Sequence, residues 1–164
     1  MHRLFPPFVS GKGALGLLVL RIVTGAAFVM HGWGKLQSPA GPFHWMDQMP
    51  EPPPGPIQAL AVLAEFGGGI ALIFGFLTPL FAFLIAGTMV VALAKVHLPH
   101  GDPFVSTHGP SFEPAAGYLA QMIMFLLVGP GRLSVDALLF GKMKAASSTV
   151  STLSDIRELN PFTL

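Results

Sequence analysis

Several ionisable side chains of this chain stand where charge is expensive. Arg21 lies inside one apolar stretch and Glu65 inside a second. Lys95 is near the end of a third, and Glu113 and Gln121 belong to a fourth. A charge at the centre of a bilayer costs roughly 3 kcal/mol on insertion scales, and such groups pair with each other or mark a ligand or proton path. At about 100° per residue, Arg21, Thr24, Phe28, His31 and Lys35 fall within an arc of about 80° on one helix. Gln58 and Glu65 are nearly eclipsed on the next helix. Gly67-Gly68-Gly69 follows them and lets another backbone approach closely. With a rise of about 1.5 Å per residue, Glu65 and Gln121 share a depth of about 12 Å below one surface. The long Arg21 side chain is expected to climb toward Glu65. The expected cluster is Arg21, Glu65 and Gln121, with His31, Lys35, Lys95 and Glu113 toward its outer mouth. Two readings stay open: a network of ion pairs that fixes packing, or a site for a ligand or proton.

The histidines add a second layer. His31, His44, His97, His100 and His108 all fall on or near the same side as that mouth. With Asp47, Glu51, Asp102 and Glu113 they could form a metal-binding or proton-transfer surface, and His97-x-x-His100 offers two ligands on one turn. The spacing matches no established metal motif such as His-Glu-x-x-His, so no metal site is assigned. Bis-histidine haem ligation rests on His31 and His97 alone and is disfavoured. A neutral histidine that donates to a quinone carbonyl, or passes on its proton, is chemically easier. No Ser–His–Asp arrangement, phosphate-binding glycine loop or paired-carboxylate hydrolase site is present.

The elements that would position these groups are membrane helices. Of 164 residues, 52% are hydrophobic and 10% charged, against about 25% charged in an average soluble domain; mean hydropathy is +0.64. Apolar stretches predict spans over about 13–33, 57–76, 79–98 and 114–129, each near the length a bilayer demands. The Gly75–Thr78 turn makes the second and third spans antiparallel neighbours. Ser134 is placed to cap a short amphipathic helix, Val135–Met143, with Asp136 in its first turn. The fold class is therefore an all-α membrane protein: an antiparallel four-helix transmembrane bundle with a short C-terminal amphipathic helix. The domain plan is an N-terminal tail (1–12), a transmembrane domain (13–143) and a polar C-terminal tail (144–164). Arg3, Lys12, Arg132, Lys142, Lys144 and Arg157 lie in or near the tails, whereas the opposite side offers Lys35 and Lys95. The bias of Lys and Arg puts both termini in the cytoplasm. The stretch after Lys12 is longer than a signal h-region and reads as a retained span.

Composition also excludes chemistry. The chain has no cysteine, which removes thiol redox centres, Fe–S clusters and thiolate metal sites. A net charge of +1 and the lack of basic runs argue against nucleic acid.

Leu20-Arg21-Ile22-Val23-Thr24-Gly25 followed by His31-Gly32-Trp33-Gly34-Lys35-Leu36 resembles the opening helix of the DoxX family. Glu65-Phe66-Gly67-Gly68-Gly69 followed by Phe74-Gly75-Phe76-Leu77-Thr78-Pro79 resembles its second helix and turn, although members usually carry Arg where Pro79 stands. His97, Glu113 and Gly129-Pro130-Gly131-Arg132-Leu133-Ser134-Val135-Asp136 resemble its second half. The resemblance covers roughly residues 14–142. It implies a four-helix protein of the bacterial inner membrane, in a group that includes DoxD, the small subunit of thiosulfate:quinone oxidoreductase, and MauE-like proteins linked to redox maturation. Mycobacterial relatives associate with superoxide dismutase and a sulfurtransferase. The residues that share its motifs are Arg21, His31, Lys35, Glu65, His97 and Glu113.

The expectation is a membrane subunit of an oxidoreductase system that binds a quinone-like ligand or couples its protonation. Glu65, Arg21 and His97 carry the chemistry, and His31, Lys35, Lys95, Glu113 and Gln121 shape the ligand site. Electrons must then come from a protein partner or the substrate, and it stays open whether the chain is itself a catalyst. The alternatives are a non-catalytic membrane anchor or assembly subunit, and a small transporter or channel formed by a homo-oligomer.

Overall fold

The computed structural model describes residues 8–141; both predicted tails fall largely outside this range, as do residues 142–143 of the predicted amphipathic helix. Among the described residues there is no β-strand. Three helices are long and apolar enough to cross a membrane: α1 (Gly11–Leu36), α2 (Gly55–Phe74) and α3 (Thr78–His100). A shorter apolar helix, α4 (Glu113–Val128), has 16 residues. A last helix, α5, begins at 135 and runs to the end of the described chain at 141.

The helix ends follow local chemistry. α2, α3 and α4 each carry proline in the first turn, where no N–H is needed. α2 stops at Gly75, whose φ of 66° suits a residue without Cβ. A Cβ there would also stand 2.0 Å from an Arg21 nitrogen. α1 runs to Leu36, beyond the predicted 33, because Gly32 and Gly34 stay helical and Lys35 favours the negative helix end. The Ser134 hydroxyl accepts from Ala137 N at 3.1 Å and caps α5 as expected.

Packing is tightest between α1 and the second half of α2. A Cβ on Gly69 would lie 2.7 Å from the Gly25 carbonyl oxygen and 2.7 Å from Val29 N; one on Gly32 would lie 2.4 Å from Phe66 N. These glycines let two backbones touch. α3 packs chiefly against α4. Phe28, Leu72, Ile85, Met122 and Phe125 fill the core, while Val23, Met30, Phe74, Phe83 and Leu127 point outward, as lipid-facing positions require.

Two stretches widen from α to π geometry: Leu63–Gly67 in α2 and Ala92–His97 in α3. Such bulges arise often at functional sites. Here one contains Glu65 and the other contains Lys95 and His97.

Candidate functional site

Between the two π turns lies a cavity of about 990 Å³. Residues of α1, α2, α3 and α4 line it, and the 45–53 segment contributes Trp45, Met46 and Met49. Its walls are mostly apolar, with Phe28, Leu60, Leu84 and Met89 among them. The polar groups are few: His31, Lys35, Gln58, Glu65, Thr88, Lys95, His97 and Tyr118, with Gln48 and Glu51 from the loop. Lys35 and Glu65 form an ion pair, and Glu65 is 3% exposed. Lys35 donates to Glu65 Oε1. Oε2 of the same carboxylate is buried and has no partner among the described residues. The Lys35 ammonium also sits 4.4 Å from the centre of the Trp45 ring, a cation–π contact. His97 Nδ1 is 2.7 Å from Asp102 Oδ2. The His31 and Tyr118 rings meet nearly edge-on at 6.1 Å.

The loop segment is pinned by Gln58. This buried side chain accepts from Met46 N at 2.8 Å and donates to Asp47 Oδ1 at 2.8 Å and to the Pro53 carbonyl at 2.9 Å. Hydrogen bonds from Gln58 and then His44 hold the Asp47 carboxyl below its ordinary range.

Arg21 belongs elsewhere. It is fully buried, and donates to the carbonyls of Leu72 (3.3 Å) and Ile73 (3.4 Å) in the last turn of α2, and to the Leu133 carbonyl. The expected Arg21–Glu65 pair is therefore not formed. Lys35 lies fourteen residues further along α1, about 21 Å, and reaches Glu65 first. The carbonyls in the last turn of α2 are the nearer acceptors for Arg21. Asp136 works at the same end of the molecule. It accepts from Leu77 N at 2.7 Å and Thr78 N at 2.8 Å, which caps α3 rather than its own helix. Gln121 accepts from the Thr24 hydroxyl between α1 and α4 and does not line the cavity. Glu113 is exposed at the start of α4 and does not line it either.

The DoxX family model matches residues 16–98. A second comparison agrees: the chain is 34% identical to "Inner membrane protein YqjF" of Escherichia coli (strain K12) over 125 residues, 76% of this chain and 92% of the relative.

The chain belongs to the DoxX family.

It is also 32% identical over 85 residues to "Putative oxidoreductase CatD" of Bacillus subtilis (strain 168), 51% of this chain and 61% of that protein. No solved structure matches it. The DoxX match takes in both π turns and every cavity-lining member of the expected cluster: His31, Lys35, Glu65, Lys95 and His97.

Sequence reasoning thus gathers five of its eight site residues in one place and misassigns the company of Arg21. It misses Tyr118 and Trp45, and it names Asp102 without pairing it to His97. Tyr118 is the single tyrosine of the chain, a signal that could have singled it out. Asp102 stands five residues after His97, across a turn that sequence spacing does not reveal. Among the described residues no three His, Cys, Asp or Glu side chains converge to hold a metal.

Proposed function

We propose that this DoxX-family chain is the membrane subunit of an oxidoreductase system and that its cavity holds a lipid-soluble, quinone-type ligand. The observation that carries this reading is the ion pair of half-buried Lys35 with buried Glu65 in the wall of a mostly apolar cavity, with one carboxylate oxygen unpartnered among the described residues. Ligand pockets span about 300–1,000 Å³ and combine apolar walls with a few convergent polar groups. A volume of about 990 Å³ admits a substituted ring and part of an isoprenoid tail. Phe28, Trp45 and Tyr118 offer aromatic surface to the ring. The name of the Bacillus subtilis relative supports a redox setting. A bound quinone would supply two-electron chemistry. This chain binds and orients it, keeps it in an apolar pocket and holds a proton acceptor, Glu65, at its edge. Lacking cysteine, the chain offers no thiol redox centre, and electrons pass between the ligand and a partner protein or a substrate.

The same reading makes α4 a fourth span. Its 16 residues are fewer than the usual 20 or so, a mismatch met by local thinning. The three residues between α2 and α3 leave room only for antiparallel neighbours. Arg132 beyond α4 and Lys12 at the start of α1 put both termini in the cytoplasm of a bacterial inner membrane, in keeping with the name of the Escherichia coli relative.

Gentle isolation in nanodiscs followed by mass spectrometry of lipids and proteins tests this reading. A stoichiometric quinone-type ligand, oxidised or reduced, retained by the wild type and retained less well by Glu65→Gln, is the expected result. A stable protein partner with no quinone would instead make the chain a non-catalytic anchor.

A further inference from the structure

The acceptors of the cavity say more than its size. Glu65 is 97% buried by its 3% exposure. It is paired with the Lys35 ammonium, and a carboxylate in such a pair only accepts hydrogen bonds. Its Oε1 has the Lys35 ammonium, whereas Oε2 is buried without a partner among the described residues. A buried acceptor left unsatisfied is costly, more so when charged. Whatever occupies the cavity is therefore favoured if it brings a hydrogen-bond donor.

His97 points to the same conclusion. Its ring lines the cavity, and Nδ1 is bound to a carboxylate oxygen of Asp102 at 2.7 Å. The acceptor-only partner assigns the ring hydrogen to Nδ1. In a neutral ring that leaves Nε2 as an acceptor. The Lys35 ammonium, the donor beside Glu65, is already engaged by Oε1 and by the Trp45 ring.

From these two acceptors we infer that the site recognises the reduced, dihydroxy form of a quinone-type ligand, a hydroquinone, whose hydroxyl donates to Glu65 Oε2. Asp102 acts as a positioning residue that sets the tautomer of His97. This deepens the proposed function and rests on it: the cavity must first take a quinone-type ring.

The test compares three probes on wild-type protein in nanodiscs under anaerobic conditions: a decyl-substituted benzoquinone, its hydroquinone, and the dimethyl ether of that hydroquinone. The ether keeps the ring and tail but cannot donate. The hydroquinone is expected to bind about tenfold tighter than either other probe, as one hydrogen bond to a charged group provides. Glu65→Gln, which exchanges an acceptor oxygen for a donor amide, should bring the three within about twofold of one another. Because that variant leaves Lys35 unpaired, the wild-type series alone is decisive if it fails to fold. Quinone binding as tight as hydroquinone, or ether binding as tight, would overturn this inference and leave the quinone site standing. Binding of none of the three would overturn the proposed function, and this inference with it.

Discussion

Glu65 and Arg21 are both buried charges, and each meets the cost of burial in its own way. Glu65 takes a counter-charge from Lys35 and leaves one oxygen facing no partner. Among the described residues Arg21 has no ion-pair partner within hydrogen-bonding reach. It spreads its donors over the Leu72, Ile73 and Leu133 carbonyls, with Asp136 adding a longer-range attraction. The planar guanidinium suits several fixed acceptors at once, and a lysine could not match it. Arg21→Ala should therefore destabilise the fold by about 3 kcal/mol, and Arg21→Lys should restore little of it. Thermal unfolding in detergent measures both; a wild-type midpoint in Arg21→Lys would refute the fork-like role. Sequence periodicity places Arg21, His31 and Lys35 on one helix face, and they are there. It could not choose partners. Arg21 and Glu65 look matched by charge, but pairing depends on axial level, which follows from how two helices slide past each other.

At the scale of elements, glycines decide how close α1 and α2 come. Gly69 is flanked by backbone atoms of Gly25 and Val29, and neither can move aside without shifting a helix. Gly69→Val should cost about 1–3 kcal/mol by overpacking, read as a lower unfolding midpoint. The π turns carry Glu65 and His97 into the cavity, and nothing in hydrophobic periodicity signals them. An expectation built on constant α geometry therefore finds Glu65 but not its surroundings. The 45–53 segment is a further element that polar composition labels only as loop. Its tie through Asp47 is pH-dependent. Hydrogen bonding holds the folded-state carboxyl of Asp47 below its usual value, so its contribution is complete above the unfolded pKa, near 4. It is lost as pH falls through the lower folded value. Trp45 fluorescence in a Trp33→Phe background should be flat from neutral pH to about 4 and change below it. A change centred near neutral pH would contradict this assignment.

For the whole molecule, three long apolar helices, a mostly apolar cavity and membership of the DoxX family describe one object: a small membrane protein with a ligand-sized chamber between its helices. The existence and order of the helices were legible from hydropathy, because a bilayer demands long apolar segments. Their ends were legible to within a few residues, because glycine and proline mark them. The chamber was not, since it depends on loop residues and on π turns. The proposed orientation rests on the bias of basic residues. Ser38→Cys should react with a membrane-impermeant maleimide added to intact spheroplasts, and Ser10→Cys only after permeabilisation. The opposite pattern would invert the topology.

The central claim is that the chamber walled by Lys35 and Glu65 is where a quinone-type ring resides. The most direct measurement is photocrosslinking of an azido-quinone to the protein in nanodiscs, with the modified peptides mapped by mass spectrometry. Labels are expected on the Trp45–Met49 strap and around His97 and Tyr118, displaced by excess unlabelled hydroquinone. Labels spread over outward-facing residues such as Val23, Met30 and Leu127, undiminished by competitor, would contradict it.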